Sequence, residues 1–276
     1  DRIVKMMIGR ESSYTYRGRL DAENNEIALE AEHICSRHHG LEDLNFYVRK
    51  GEILAFYGLD GSGRTELIRT VLGIDKMDSG TVKLYGKPIK TTNFGKSLHK
   101  YKIGYVTENR KEEGLFLNDT VRMNVCINSL SDLYYGKGLP LIQVKKESER
   151  AQKYVDKLEI KTPKLDTKAG SLSGGNQQKI SIAKWLCAEC DVIVIDEPTV
   201  GVDIGAKEYI HRLIWDLAAV EKKAVILISS DMNEIVSLAR RMLIFKDKQI
   251  VNELTGEDFF ARSGEQISAE IGKYFI

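Results

Sequence analysis

The chain has 276 residues, 42% hydrophobic and 29% charged, enough for one large domain or two modest ones with an ample core. Its 41 lysines and arginines against 40 acids leave a net charge of +1, without the basic excess of a nucleic-acid footprint. Apolar runs such as Ala224–Ile228 fall far short of the ~20 residues of a membrane span. No signal peptide is visible, and a sequence that starts at Asp1 reads as a piece of something longer.

Residues 1–10 read as the end of a helix and 11–25 as a polar linker, so 1–25 is expected to close a preceding domain. The main domain is expected over 26–255. Ile27-Ala-Leu and Leu44–Val48 alternate as strands do, and Gly51-Glu52 opens a strand over Ile53–Tyr57. Arg64–Leu72 has a helical pattern ended by Gly73, and Asp78-Ser-Gly-Thr reads as a turn before the strand Val82–Tyr85. The stretch from about Thr107 to Lys168 is charge-rich and helical in pattern. Within it Ala151, Tyr154, Val155 and Leu158 recur at helical spacing, and a helical insertion is expected over about 107–188. Val192–Ile195 and Ala224–Ile228 are continuous apolar runs suited to buried parallel strands, with a crossover helix over Lys207–Ala219 between them. The result is an α/β core with a helical insertion, followed by a tail over 256–276.

Three segments carry chemistry. Gly58-Leu-Asp-Gly-Ser-Gly-Arg-Thr65 follows a strand and opens a helix, the context of a phosphate-binding loop. Its glycines Gly58, Gly61 and Gly63 let successive N–H groups converge on a phosphate, with Asp60, Ser62, Arg64 and Glu66 beside them. Thr65 would offer its hydroxyl to Mg²⁺. Arg64 stands where such loops carry lysine; it keeps the charge but is planar and larger. A glycine turn with a chance arginine is the plainer alternative. In Ser171-Leu-Ser-Gly-Gly-Asn-Gln-Gln-Lys179, two bare glycines precede a helix start, a surface suited to an anion, unless it is simply a serine-capped helix. Asp196 and Glu197 end a buried strand, where α/β folds bind ligands. Asp196 suits Mg²⁺ and Glu197 suits polarising a water, against the alternative of two turn-forming acids. Cys187-Ala-Glu-Cys190 has C-x-x-C spacing, but no second pair accompanies it, and small apolar residues at a helix end are the better reading.

Taken in order, the phosphate loop, Leu172-Ser-Gly-Gly-Asn-Gln-Gln, Ile195-Asp-Glu-Pro-Thr and Gly201-Val-Asp resemble the ATP-binding subunit of ABC transporters. Thr107-Glu-Asn-Arg-Lys-Glu-Glu-Gly-Leu115 and Pro198–Lys207 make the chain similar to the second nucleotide-binding domain of bacterial ribose, xylose and galactose importers. The resemblance implies a P-loop NTPase core with a mostly parallel sheet, an antiparallel β region and an inserted helical subdomain. It implies ATP and Mg²⁺ as cofactors and a second ATP-binding domain, N-terminal in the same full-length chain, as partner. A transmembrane permease, indirectly a sugar-binding protein, and the cytoplasmic face of the plasma membrane follow from the same resemblance. In such pairs each ATP lies between one domain's phosphate loop and the other's L-S-G-G segment. Ser173, Gly174 and Gly175 would reach the partner's γ-phosphate, Gln177 would support that contact, and Asp203 would lie at the same interface.

The chain departs from the family pattern in several places. The loop glutamine that touches Mg²⁺ corresponds to Glu108, and the histidine at the γ-phosphate corresponds to Ser230. Where an aromatic residue stacks on adenine, this chain has His33, Cys35, His38 and His39, read as exposed loop residues. With Arg64, three γ-phosphate contacts are altered while Glu197 is kept. The expectation is an asymmetric ATPase whose own site turns over slowly, with Glu197 and Ser230 as its catalytic residues. The alternative is a catalytically silent regulatory module.

Overall fold

The computed structural model describes residues 20, 22–135, 139–256, 266–267 and 271–274. The expected helix end at residues 1–10, most of the linker and most of the tail lie outside the described residues.

Strands β1 (Ile27–Ser36) and β2 (Leu41–Arg49) pair antiparallel, with Leu41, Leu44, Phe46 and Val48 of β2 turned into the core. Strand β3 (Ile53–Gly58), buried except for the half-buried Tyr57, then leads through a glycine turn into α1 (Arg64–Val71). Next, β4 (Ser79–Leu84) and β5 (Lys87–Ile89) complete a sheet of order β2-β1-β4-β5. Strand β4 starts at Ser79, inside the segment expected as a turn. Gly80 permits this: at φ +124 it lies so close to β1 that a Cβ would sit 2.8 Å from the His33 carbonyl oxygen. A short α2 (Phe94–His99) precedes β6 (Ile103–Val106).

The insertion opens with a π-helical turn over Arg110–Gly114 and continues into α3 (Val121–Cys126), whose cap Thr120 accepts from the Met123 N–H at 3.1 Å. It is not wholly helical, although its charge pattern reads as helix throughout. Strands β7 (Tyr134–Tyr135) and β8 (Leu139–Ile142) form an antiparallel pair before α4 (Val144–Lys157). Ala151, Tyr154 and Val155 of α4, with Leu158, bury the face that their spacing predicts. The Tyr154 hydroxyl donates to the Leu186 carbonyl in α5 (Gly174–Cys187) at 3.0 Å, which ties the two helices.

The remaining elements are β9 (Val192–Asp196), α6 (Ile204–Ala219), β10 (Ala224–Ile228), α7 (Met232–Leu238), β11 (Arg241–Lys246) and β12 (Gln249–Thr255). Helix α6 begins before Lys207 because the Asp203 carboxylate accepts from the Ala206 N–H at 3.0 Å and caps it. The main sheet has order β12-β11-β3-β10-β9-β6 and is parallel except where β12 meets β11. Its apolar runs serve two cores at once. Ile193, Ile195, Val225 and Leu227 pack toward the helices, while Val192, Val194, Ile226 and Ile228 pack toward α1 and the antiparallel sheet. Truncating one such residue, for example Ile195→Ala, costs about 2–5 kcal/mol. The ends of β3, β9 and β10 thereby become fixed points on which loops can be placed. No helix among the described residues is long and apolar enough to cross a membrane.

Candidate functional site

The phosphate-loop glycines answer to measurable crowding. A Cβ on Gly58 would lie 2.5 Å from Ser62 Oγ and 2.6 Å from the Phe245 carbonyl oxygen. Gly63 takes φ +110 and is the residue from which α1 starts, so the free N–H groups of the first turn face the loop. Ser62 Oγ is buried without a hydrogen-bond partner. A cradle closed to side chains, a helix start and an orphaned hydroxyl fit a phosphate. The loop is braced from β11–β12: the Lys248 N–H donates to the Ser62 carbonyl at 2.9 Å, and Lys248 Nζ pairs with Glu66. Asp60 is fully exposed and Gly61 open to solvent.

Arg64 is 7% exposed, and its Nη1 lies 3.5 Å from Glu197 Oε1 while its Nη2 reaches Asp60 at 3.4 Å. Nη1 has no hydrogen bond of normal length. Glu197 follows β9 in the left-handed region at φ +44, held there by its N–H to the Ile228 carbonyl at 2.9 Å. Burial pushes its carboxyl up to about 7, against the pull of Arg64 and of hydrogen bonds from Ser230. Ser230 itself is exposed at the end of β10.

Asp196 is buried and pushed up to about 6, chiefly by desolvation. One of its oxygens, Oδ2, accepts from the Thr65 hydroxyl at 2.9 Å and from the Tyr105 hydroxyl at 3.0 Å. The other, Oδ1, has no partner. Glu108 is exposed, and its charge also raises the Asp196 pKa. A buried carboxylate oxygen with nothing to accept, beside a threonine hydroxyl and a second carboxylate, fits a hard divalent cation such as Mg²⁺. Asp196, Thr65 and Glu108 would hold it, and it would supply charge neutralisation for phosphate oxygens.

The Ser173 segment forms a second cluster, on a different helix. Ser173 is the exposed N-cap of α5, and its Oγ accepts from Asn176 Nδ2 at 3.0 Å. A Cβ on Gly175 would meet the Ala206 side chain at 2.7 Å, with Asp203 Oδ2 3.7 Å away. The segment expected to meet a partner's nucleotide thus packs on the start of α6. Gln177 is buried, and its Nε2 donates to the carbonyls of Leu172 at 3.0 Å and Ala169 at 3.4 Å. Its support reaches Ser173 through the backbone.

Arg64, Thr65, Asp196, Glu197 and Ser230 converge, with Glu108 on the rim, whereas Ser173, Gly174, Gly175 and Asp203 gather apart. His33 is exposed, as expected, and paired with Asp43 at 2.6 Å, but it lies with Cys35 in β1 and not in a loop. His39 differs from that expectation: it is largely buried and bonds Asp75 at 3.0 Å, in a group that includes Arg69. Cys187 Sγ lies 3.2 Å from Ser129 Oγ, whereas Cys190 is buried and pushed up to about 12. No cluster of three metal-ligating side chains occurs among the described residues. Sequence reasoning missed Tyr105, Arg110 and Lys248. Tyr105 shares Asp196 with Thr65 from 91 residues away, and no linear signal marks such a contact.

A family model described as ABC transporter matches residues 41–200. The chain is 39% identical over 258 residues to a putative ribose/galactose/methyl galactoside import ATP-binding protein of Burkholderia lata, covering 94% of this chain and 49% of that protein. It is also 39% identical to a ribose import ATP-binding protein of Streptococcus agalactiae, over 94% of this chain and 51% of that one. The chain spans about half the length of these curated relatives. In fold it is similar to a nucleotide-free ATP-binding cassette from an ABC transporter, at TM-score 0.75 and 24% identity over 91% of this chain and 99% of that one. The ADP conformation of another ATP-binding cassette gives TM-score 0.70 at 25% identity over 90% and 98%.

Proposed function

The chain belongs to the ABC transporter ATP-binding family, and from that premise we propose that it is the second nucleotide-binding domain of a monosaccharide importer, working mainly on its partner's ATP. The names of its relatives and its half-length match support a fused pair of such domains, with the partner N-terminal in the same polypeptide. The pair would sit on a membrane permease at the cytoplasmic face and serve a sugar captured by an external binding protein.

One observation carries the asymmetry: Arg64 rests against Glu197 at 3.5 Å, while Ser173 stands exposed at the start of a helix. Gly58, Ser62, Gly63 and the α1 N–H groups would hold the β- and γ-phosphates, with Asp60 and Gly61 at the open rim and Glu66 fixing the loop through Lys248. Thr65, Asp196 and Glu108 would hold Mg²⁺. Glu197 would accept a proton from the attacking water, but that role needs the carboxylate free and ionised. The guanidinium occupies one oxygen and burial keeps the proton on until pH rises past about 7. Ser230 orients Glu197 and offers one short-armed donor. Turnover at this site is slow, while Ser173, Gly174 and Gly175, steadied by Gln177, complete the neighbouring site.

Hydrolysis should depend on both domains. Substituting Gly174 in the two-domain protein should abolish most steady-state hydrolysis, whereas Glu197→Gln should remove little. If Glu197→Gln abolishes turnover and Gly174→Asp leaves it intact, the asymmetry runs the other way. A silent regulatory module is the second reading, favoured by the Arg64–Glu197 contact itself. It predicts no single-turnover cleavage of Mg-ATP by the isolated chain.

A further inference from the structure

The segment Thr107–Leu115 is not explained by the phosphate loop or by Asp196, yet it contains a guanidinium in an unusual position. Arg110 is 7% exposed, and nothing charged pairs with it among its described hydrogen bonds. Instead Nη1 donates to the Val200 carbonyl at 2.7 Å and Nη2 to the Gly201 carbonyl at 3.0 Å. Those carbonyls belong to the turn between Glu197 and the cap Asp203. Gly201 takes φ +68, which presents its carbonyl to the guanidinium.

The same guanidinium touches the Ser173 loop. A Cβ on Gly174 would lie 3.0 Å from Arg110 Nη2 and 2.7 Å from the Gly201 carbonyl oxygen. The three groups therefore meet in one packed contact with no room for a methyl. Arg110 is also held at its base. Its N–H donates to the Glu108 carbonyl at 3.0 Å, and the far end of its π-helical turn is anchored by Lys184 Nζ on the Gly114 carbonyl. Lys184 is buried in α5, the helix that Gly174 begins. One short turn is thus fixed to α5 at one end and reaches the Val200–Gly201 turn at the other. Burying a guanidinium on two carbonyls carries a desolvation cost that a surface loop does not require, and a planar fork is the side chain that bridges two adjacent carbonyls.

We propose that Arg110 is a positioning residue that locks the Ser173–Gly175 loop and the Val200–Asp203 turn into one rigid face, so that both meet a partner's nucleotide in fixed relative geometry. The part of this that concerns the partner's nucleotide rests on the function proposed above; the lock does not.

Hydrogen exchange on this chain tests the lock. The amides to follow are Val200 and Val202, bonded to the Glu197 and Thr199 carbonyls, and Leu172 and Gln177, bonded to Ala169 and Ser173. In Arg110→Ala both pairs should exchange at least about tenfold faster, while the phosphate loop and the interior of α5 keep their protection. If either pair keeps wild-type exchange, the lock is wrong. Should the alanine variant lose protection throughout α5, Arg110→Lys replaces it: one ammonium cannot span both carbonyls, and the two pairs should again loosen together. Steady-state kinetics of the two-domain protein carrying Arg110→Lys then separate the premises. A fall in kcat of about 10- to 100-fold with KM for ATP within twofold supports the positioning role, since a displacement of about 1 Å is enough for such a loss. Faster exchange with unchanged kcat leaves the lock standing and removes the Ser173 loop from the chemistry.

Discussion

Replacing Arg64 by lysine should raise the activity of this chain's own site, against the usual expectation for a change in a phosphate loop. The Arg64 and Glu197 side chains are 7% and 10% exposed and 3.5 Å apart. At an effective dielectric of about 20, opposite charges at that distance attract by about 5 kcal/mol before desolvation is subtracted. Desolvation offsets about 2.2–3.6 kcal/mol of this, which leaves about 1.4–2.8 kcal/mol holding the carboxylate away from a water. Lysine keeps the positive charge for phosphate on a compact head and a shorter arm, and releases Glu197. The released energy corresponds to about 10- to 100-fold in rate. The assay is single-turnover cleavage of Mg-ATP at pH 8 by the two-domain protein with the other domain's phosphate loop disabled, and with the Arg64→Lys, Glu197→Gln double variant as baseline. Unchanged or slower cleavage by Arg64→Lys, at equal nucleotide affinity, would refute the claim that this contact restrains the site.

The other predictions concern neighbouring groups. Tyr105→Phe removes a donor that holds the Asp196 proton affinity down, so Mg-ATP affinity should weaken several-fold near pH 6 and recover by pH 8. Equal affinities at both pH values would show that the Tyr105 hydroxyl is irrelevant to the metal. Gly174→Ala places a methyl 2.7 Å from the Gly201 oxygen; it should cost about 1–3 kcal/mol in urea unfolding and leave nucleotide binding at the phosphate loop unchanged. Asp196 and Glu197 have raised pKa values of about 6 and about 7, so the folded chain holds protons that the unfolded chain has released. Nucleotide-free stability should therefore fall as pH rises from about 4 to 7 and level off above that. Glu197→Gln should flatten the upper part of that decline, and a variant with the wild-type slope would count against the raised Glu197 value.

The regular parts of this fold were legible because their signals are local. Val192–Ile195 and Ala224–Ile228 are apolar on both faces, and the strands coincide with them. The phosphate loop announces itself through its glycine spacing, and the structure fills the Cβ positions of Gly58 and Gly63 while Gly61 stays open. What escaped was set by contacts distant in sequence. Strand β4 begins at Ser79 because β1 lies beside Gly80, not because Asp78-Ser-Gly-Thr changes its turn-like character. The hairpin β7–β8 sits inside a stretch whose charge pattern reads as helix. Tyr105 looks like one more strand aromatic until β6 is placed beside β9 and its hydroxyl meets Asp196. Glu108, Ser230 and Arg64 were visible as departures from a family pattern, but the contact between Arg64 and Glu197 was not.

The order of strands in the main sheet has a consequence for how the chain is made. Strand β3 leaves the ribosome long before both of its neighbours, β10 and β11, which come about 170 and about 190 residues later. At about 5–20 residues per second this is a wait of roughly 10–30 s, during which Ile53–Phe56 presents two bare hydrogen-bonding edges. The Lys248 brace on Ser62 comes later still. A nascent chain stalled before Arg241 therefore holds an apolar strand with no mate and a nucleotide loop with no support, the kind of segment that pairs with the wrong neighbour. Synthesis of this domain should depend on holding factors that shield β3, and a braced nucleotide loop reports that β11 and Lys248 have already emerged.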